Sequence, residues 1–280
     1  MKSLLISLLT SVVGTLVAHT ASAQDAFSKP YGVHEASGGH RTATVFDASA
    51  THANPAGLAY TNELYTITPF YQSFQKNSQM YGLALMDTTR STLRGGAVFR
   101  ALDVFADDNF DYQLSLGLAE VSQTLWGLPI GLGVDVTWRH NPETDEYDDP
   151  SYRGRLGIVY PINQVLFFGL KTEGFFDDVQ PFTHSMGLSM QIWKFWVSLD
   201  THFRQKDLER FGGSLSYNFR ETLDLSFSYG YENELRAHEW TGGFAFGAIS
   251  DLQVSYVFRQ RLPEEGDNEN THSVGLTWNL

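Results

Sequence analysis

From Glu63 to Leu280 large apolar side chains recur at every second position, the period of a strand and not the 3.6 of a helix. At the C-terminus Val274, Leu276, Trp278 and Leu280 alternate with Ser273, Gly275, Thr277 and Asn279. Leu223, Leu225, Phe227, Tyr229 and Tyr231 alternate with Asp224, Ser226, Ser228, Gly230 and Glu232. Ile130, Leu132, Val134, Val136 and Trp138 alternate with Gly131, Gly133, Asp135, Thr137 and Arg139. The pattern predicts about 14 strands, over 63–74, 79–89, 93–104, 110–123, 128–140, 152–162, 164–175, 183–193, 195–206, 208–219, 223–234, 238–248, 252–262 and 271–280. Each is near the ~10 residues with which a tilted strand crosses a bilayer. Segments 79–89 and 164–175 alternate poorly.

The connectors fall into two classes that alternate along the chain. One is tight: Asp87 to Ser91, Pro161-Ile162-Asn163, Trp193-Lys194, Asn218 to Glu221, and Ile249-Ser250-Asp251. The other is longer and often acidic: Ala106 to Asn109, Asn141 to Ser151, Asp177 to Pro181, and Pro263 to Asn270. Short periplasmic turns and longer external loops give this alternation. The predicted fold class is therefore all-β: a transmembrane antiparallel β-barrel of about 14 strands, preceded by an N-terminal plug or hatch segment. An even strand number puts both termini on the periplasmic side of a bacterial outer membrane.

The physical reason is strict. Hydrocarbon cannot hydrogen-bond a free backbone group, so strands survive in it only as a closed sheet. The apolar half of each strand then faces lipid and the polar half faces the lumen. Phe70, Tyr71, Trp126, Trp138, Tyr160, Trp193 and Trp278 are expected at the interfacial girdles. A soluble β-sandwich or lipocalin-like barrel is the competing reading. It would have to bury all of these Leu, Phe and Tyr side chains, and 14 strands enclose more space than they fill, since ~8 already hold side chains closely.

Composition narrows the picture further. The chain has no cysteine, which excludes a disulfide-stapled fold and Cys-zinc sites. A formal net charge of −13 argues against a nucleic-acid partner, which needs a basic face. Past the first residues no apolar run approaches the ~20 needed for a membrane helix. Those first residues read as an address. Lys2, the apolar stretch Leu4 to Val17 and the small-x-small site Ala21-Ser22-Ala23 predict a signal peptide over 1–23. Residues 24–62 are rich in Ala, Gly, Ser, Thr and His and lack barrel alternation, which suits a plug folded into the mouth of the 63–280 barrel.

Within that segment stands Asp47-Ala48-Ser49-Ala50-Thr51-His52-Ala53-Asn54-Pro55-Ala56-Gly57-Leu58-Ala59, with Gly38-Gly39 upstream. Small residues allow close backbone approach, and Asn-Pro followed by Gly marks a fixed turn. This run, after a signal peptide and before a train of strands, resembles the long-chain fatty-acid transporter (FadL-like) family. It also resembles the related barrels of the type IX secretion shuttle. The resemblance implies a 14-stranded barrel with an internal hatch. It places Asn54, Pro55, Ala56 and Gly57 in that hatch, against the wall, where family members open a lateral path for hydrophobic ligands. This chain departs in having short, acidic external connectors, such as Glu143 to Asp149, and in ending on Leu280.

Strand phase assigns the ionisable lining of the lumen: Arg94, Arg100, Asp135, Arg139, Arg153, Arg155, Lys171, Glu173, Asp200, His202, Arg204, Asp224, Glu232 and Arg259. Two readings are open: a selectivity lining or gate, and a self-neutralising polar network that holds the plug. No metal site is expected, because none of the nine His residues pair as H-x-x-x-H and the Asp-Asp pairs at 107–108, 148–149 and 177–178 lack calcium-loop spacing. Ser214, Ser216, Ser226, Ser228 and His202 face inward, but no G-x-S-x-G elbow is present, so no enzymatic role is expected. No cofactor is expected either. Two functions follow. One is a channel for small hydrophobic molecules. The other is a structural or docking barrel in an envelope machine, with protein partners. Both would contact outer-membrane lipid and lipopolysaccharide.

Overall fold

A computed structural model of the chain describes residues 42–280 apart from 62–63, 75–77, 90–91, 104–109, 121–127, 142–143, 178–180, 220–221, 235, 250 and 265. The signal-peptide stretch 1–23, most of the segment up to Arg41, Trp126 and the pair Asp107-Asp108 lie outside the described residues.

The first described elements are a single helical turn α1 (Ala50–Ala53) and a 3-10 helix (Pro55–Tyr60). The strands follow: β1 (Tyr65–Phe74), β2 (Gln79–Asp87), β3 (Leu93–Asp103), β4 (Phe110–Glu120), β5 (Ile130–Trp138), β6 (His140–Asn141), β7 (Glu146–Tyr147), β8 (Ser151–Pro161), β9 (Leu166–Phe175), β10 (Thr183–Ile192), β11 (Phe195–Arg204), β12 (Asp207–Phe219), β13 (Leu223–Glu232), β14 (Ala237–Ile249), β15 (Leu252–Pro263) and β16 (Glu269–Asn279). All but β6 and β7 form one closed antiparallel barrel, in which sequence neighbours pair, β5 pairs with β8, and β1 meets β16. The barrel strands coincide with the segments predicted from alternation. The short β6–β7 hairpin inside the Asn141 to Ser151 connector was not signalled by any run of apolar residues.

Closure explains the alternation. Leu199, Leu215, Phe227, Leu225, Val274 and Leu276 stand on the exposed outer phase. Their sequence neighbours Ser198, Ser214, Ser226, Ser228 and Ser273 are buried on the inner phase. Adjacent strands pair along nearly their whole length, and the β1–β16 ladder skips only Thr68 and Pro69 between Ile67 and Phe70.

Two expectations need correction. Phe70 does not join the girdle with Tyr71. Successive strand residues point to opposite faces, and Phe70 is the inward one, only 6% exposed. The two connector classes are also not uniform. The turns at the end of the barrel that carries Tyr65 and Leu280 are short apart from the nine-residue connector between β4 and β5, and Leu280 N–H donates to the Tyr65 carbonyl at 2.9 Å. At the other end, β11 and β12 join through Gln205-Lys206 alone, because Gln205 adopts φ 56°, the left-handed conformation of a two-residue hairpin turn.

Candidate functional site

The site is the inner segment Thr42–Thr61 and the wall it lies on. Asn54 starts its 3-10 helix, with its side-chain Oδ1 accepting from the Ala56 N–H at 3.3 Å and Pro55 at the first helical position. Ala50, Thr51, Asn54, Ala56 and Leu58 are fully buried. They face the inward side of β3, β4, β5, β8, β9 and β10, where the wall is made of glycine. Gly96 pairs with Gly117, Gly131 with Gly157, and Gly169 with Gly187. A Cβ at Gly131 would fall 2.1 Å from the Ala56 nitrogen, and one at Gly157 would fall 2.0 Å from Asn54 Oδ1. At Gly169 it would meet the Ala43 backbone at 2.5 Å, and at Gly96 the Thr51 hydroxyl at 2.1 Å. The glycine track lets one chain lie with its backbone directly on the sheet.

Polar anchors fix the segment at both ends and in the middle. Thr42 N–H donates to Asp200 Oδ1 on β11 at 2.8 Å, and the Thr44 hydroxyl donates to Ser189 on β10 at 3.1 Å. Asn54 Nδ2 donates to the Thr42 carbonyl at 2.7 Å and reaches the Ile158 carbonyl of β8 at 3.4 Å. Arg94 Nη1 on β3 donates to the carbonyls of Leu58, Ala59 and Thr61 at 3.4, 2.8 and 2.6 Å. That places a cation at the carbonyl end of the 3-10 helix, where the helix dipole favours positive charge.

His52 sits at the centre of a buried charge cluster. Arg100 Nη2 donates to His52 Nδ1 at 2.9 Å, and Arg155 donates to the His52 carbonyl. Arg155 also pairs with Asp135 at 2.7 Å, and both side chains are essentially inaccessible. A guanidinium only donates, so His52 Nδ1 carries no proton. Burial first, and then the Arg100 and Arg155 charges, hold His52 down to about 3, so the ring is neutral. Asp135 lies 3.8 Å from Nδ1, too far for a hydrogen bond.

The other ionisable residues assigned to the lumen by strand phase are placed as follows. Glu173 lies 3.0 Å from Lys171 and 3.5 Å from Arg153. His202 Nδ1 meets the Ser185 hydroxyl at 2.8 Å. Asp224 accepts from Asn218 at 2.6 Å. Arg259 pairs with Glu239, and Arg261 with Glu232. Arg204 pairs with Glu234 at the rim, half-exposed. Arg139 follows β5, and its carbonyl accepts from Asp148 N–H at 2.9 Å. The structure thus brings Arg94, Arg100, Asp135, Arg155 and Asp200 to the inner segment and leaves Arg153, Lys171, Glu173, His202, Asp224, Glu232 and Arg259 with polar partners along the wall. Glu239, Arg261 and His52 went unassigned in the sequence. Counting on by two from Arg259 reaches Arg261, whereas nothing in a single sequence aims His52 at Arg100.

The interior is not polar throughout. Phe70, Met80, Ala84, Met86, Val98 and Leu102 pack with Val45, Ala48 and Leu58 in one buried cluster between β1–β4 and the inner segment. Phe46 and Tyr60 of the segment meet Phe167 of β9 edge-on at 5.6 and 6.1 Å, and Phe167 meets Trp196 of β11 at 5.8 Å with tilted rings. Among the described residues no His, Cys, Asp or Glu group has the geometry to hold a metal ion.

No protein-family model matches the sequence, and no curated protein does so either. Solved structures do match. The monoaromatic hydrocarbon channel CymD aligns over 90% of this chain and 97% of its own, with a TM-score of 0.70 at 13% identity. The Pseudomonas putida toluene transporter TodX aligns over 90% and 99%, with a TM-score of 0.68 at 12% identity. A FadL homologue of Pseudomonas aeruginosa aligns over 86% and 96%, with a TM-score of 0.60 at 9% identity. At these identities the likeness is one of fold: this chain is a closed antiparallel β-barrel of 14 strands with the fold of these FadL-family channels.

Proposed function

We propose that this protein is an outer-membrane channel that passes small hydrophobic molecules, with the segment around Asn54, Pro55, Ala56 and Gly57 as its hatch. The observation that carries the reading is the apolar cluster between that segment and β1–β4. A water-filled pore has no use for a buried face of Met, Val, Leu and Phe, whereas a passage for apolar solutes needs one. The fold shared with hydrocarbon channels supports the same reading. The arginine, aspartate and histidine anchors act as the polar network that seats the hatch. The tight-turn end, with both strand termini, faces the periplasm. The exposed Leu and Phe of the outer phase meet lipid and lipopolysaccharide.

Toluene serves as the probe. Cells of a host with a tight outer membrane should take it up faster with this protein than with an empty vector. Asn54→Ala combined with Pro55→Ala should change that rate while heat-modifiable gel migration still reports a folded barrel. Uptake equal to the empty vector refutes the channel.

A further inference from the structure

Three strands present histidine to the outer face of the barrel: His184 on β10, His238 on β14 and His272 on β16. Strand phase fixes the direction. The sequence neighbours of each, Thr183 and Ser185, Ala237 and Glu239, Thr271 and Ser273, are buried on the inner phase. All three histidines stand among the first four residues of their strands, at the rim opposite Tyr65 and Leu280. Among the described residues the outer phase of the tight-turn rim carries no histidine. Trp193, Phe195, Tyr217 and Phe219 cluster there instead.

The three share one local arrangement. A hydroxyl of the preceding barrel strand, on the same outer face, meets the ring at Nδ1. Thr172 lies 3.0 Å from His184, the Tyr229 hydroxyl 2.6 Å from His238, and the Tyr256 hydroxyl 2.9 Å from His272. None of these hydroxyls has another acceptor among the described residues, so each donates to Nδ1. The hydrogen bond at one ring nitrogen sets which of the two carries the hydrogen. Here it sits on Nε2, which has no partner among the described residues. Aromatic rings flank two of the sites. Tyr229 and Tyr231 lie 5.9 and 5.0 Å from the His238 ring, and Tyr256 and Phe258 lie 6.2 and 5.2 Å from the His272 ring. Three acids of this rim already face arginines: Glu234 meets Arg204 at 3.0 Å, Glu264 meets Arg236 at 3.8 Å and Glu269 meets Arg261 at 3.6 Å.

We infer that this rim is a docking surface for a phosphorylated glycolipid of the outer leaflet, whose phosphate oxygens accept from Nε2 of His184, His238 and His272 while its acyl chains lie along the apolar outer face. The inference rests on the orientation proposed above, which puts this rim on the external side. Hydrocarbon gives an N–H group nothing to bond to. Three outward N–H groups confined to one rim therefore suit an acceptor that the lipid itself brings. An ionised phosphate oxygen is the strongest acceptor that such a lipid carries. The flanking rings give its sugar and upper acyl carbons a surface to lie on.

The full-length protein, with isotope-labelled histidine nitrogens, is folded into vesicles of diphosphorylated lipid A, and nitrogen–phosphorus dipolar contacts are read by solid-state NMR. The wild type should show contacts from Nε2. A variant combining His184→Phe, His238→Phe and His272→Phe, which keeps rings on the outer face, should lose them while heat-modifiable migration still reports a folded barrel. Tyr256→Phe leaves every imidazole in place and should weaken the His272 contact alone, since its Nδ1 loses the donor that holds the hydrogen on Nε2. In native mass spectrometry the wild type should retain lipid A at least about tenfold better than the triple variant, and fully dephosphorylated lipid A should be retained equally by both. No phosphorus contact in the wild type, or equal retention of the phosphorylated lipid, overturns the docking surface. A preference of the wild type that persists for the dephosphorylated lipid overturns the phosphate as its partner. Orientation is judged separately. The chain has no cysteine, so Lys206→Cys, on a turn of the same rim, should react with a membrane-impermeant maleimide on intact cells. Failure of that reaction refutes the orientation, and with it an outer-leaflet lipid. Reaction without phosphorus contact refutes the docking surface alone.

Discussion

Replacing Gly131 by alanine tests whether the inner segment is seated by the glycine track. The added methyl falls 2.1 Å from the Ala56 nitrogen and 2.2 Å from the Pro55 carbonyl carbon. Both are backbone atoms, so no flexible side chain can yield. The contact needs to open by about 1 Å or more to reach ordinary van der Waals separation. Overpacking of this kind costs about 1–3 kcal/mol. Against it stand the seat's own contributions: the three Arg94 bonds and the Asn54 bonds at about 1 kcal/mol each, and the burial of Leu58 at about 1.5–3 kcal/mol. The clash therefore shifts the balance of seated and unseated segment by about 5- to 150-fold without touching a barrel hydrogen bond. Limited chymotrypsin digestion reads the result, since Phe46, Leu58 and Tyr60 become cleavable only when the segment leaves the wall. Gly242→Ala is the control, because no atom lies within 4 Å of its added methyl. Faster cleavage of Gly131→Ala, with normal heat-modifiable migration, is expected. Equal protection of the two variants would show that the track does not seat the segment.

Two further outcomes follow from the charge cluster. Asp135→Asn leaves the buried Arg155 without its counter-ion and should destabilise the folded protein by about 3–5 kcal/mol in a detergent unfolding titration, whereas a change under about 1 kcal/mol would mean the pair is not holding the cluster. His52 has a seated value of about 3, below its free value of 6.5, so the unseated state binds the extra proton between these limits. Seating is thus fully favoured above 6.5 and weakens as pH falls toward 3, by up to about 1.4 kcal/mol per pH unit. Chymotrypsin protection followed downward from neutral pH should show this loss, and His52→Gln, whose amide oxygen can still accept from Arg100, should flatten it.

The strands were legible because the apolar outer face and the polar inner face of a closed sheet take alternate positions. Where alternation faded, the reason is now physical. In β2 the inward positions are Met80, Gly82, Ala84 and Met86, apolar because they face the inner segment's apolar cluster instead of water. In β9 the inward Phe167 belongs to the interior aromatic cluster, so both faces read as greasy. The Asn54-Pro55-Ala56-Gly57 run stood out by its turn chemistry, and the fourteen ionisable residues by strand phase alone. The purpose of the inward glycines did not stand out. Gly131 or Gly157 looks like a poor strand former until the backbone that lies on it is known. Partner choice was equally hidden, because Arg100 and His52 meet across 48 residues and Arg155 and His52 across 103. Phase gives the direction of a side chain and is silent on its height around the wall.

The buried apolar cluster draws its members from Val45 to Ala119, all within the first half of the chain, while ring closure waits for Glu269–Asn279. These contacts are near in sequence and carry little loop-closure penalty. The inner segment's apolar contacts can thus form on a still-open sheet of β1–β4. The apolar half of the seat is available before the ring closes, whereas the anchors on Ser189 and Asp200 must wait for β10 and β11.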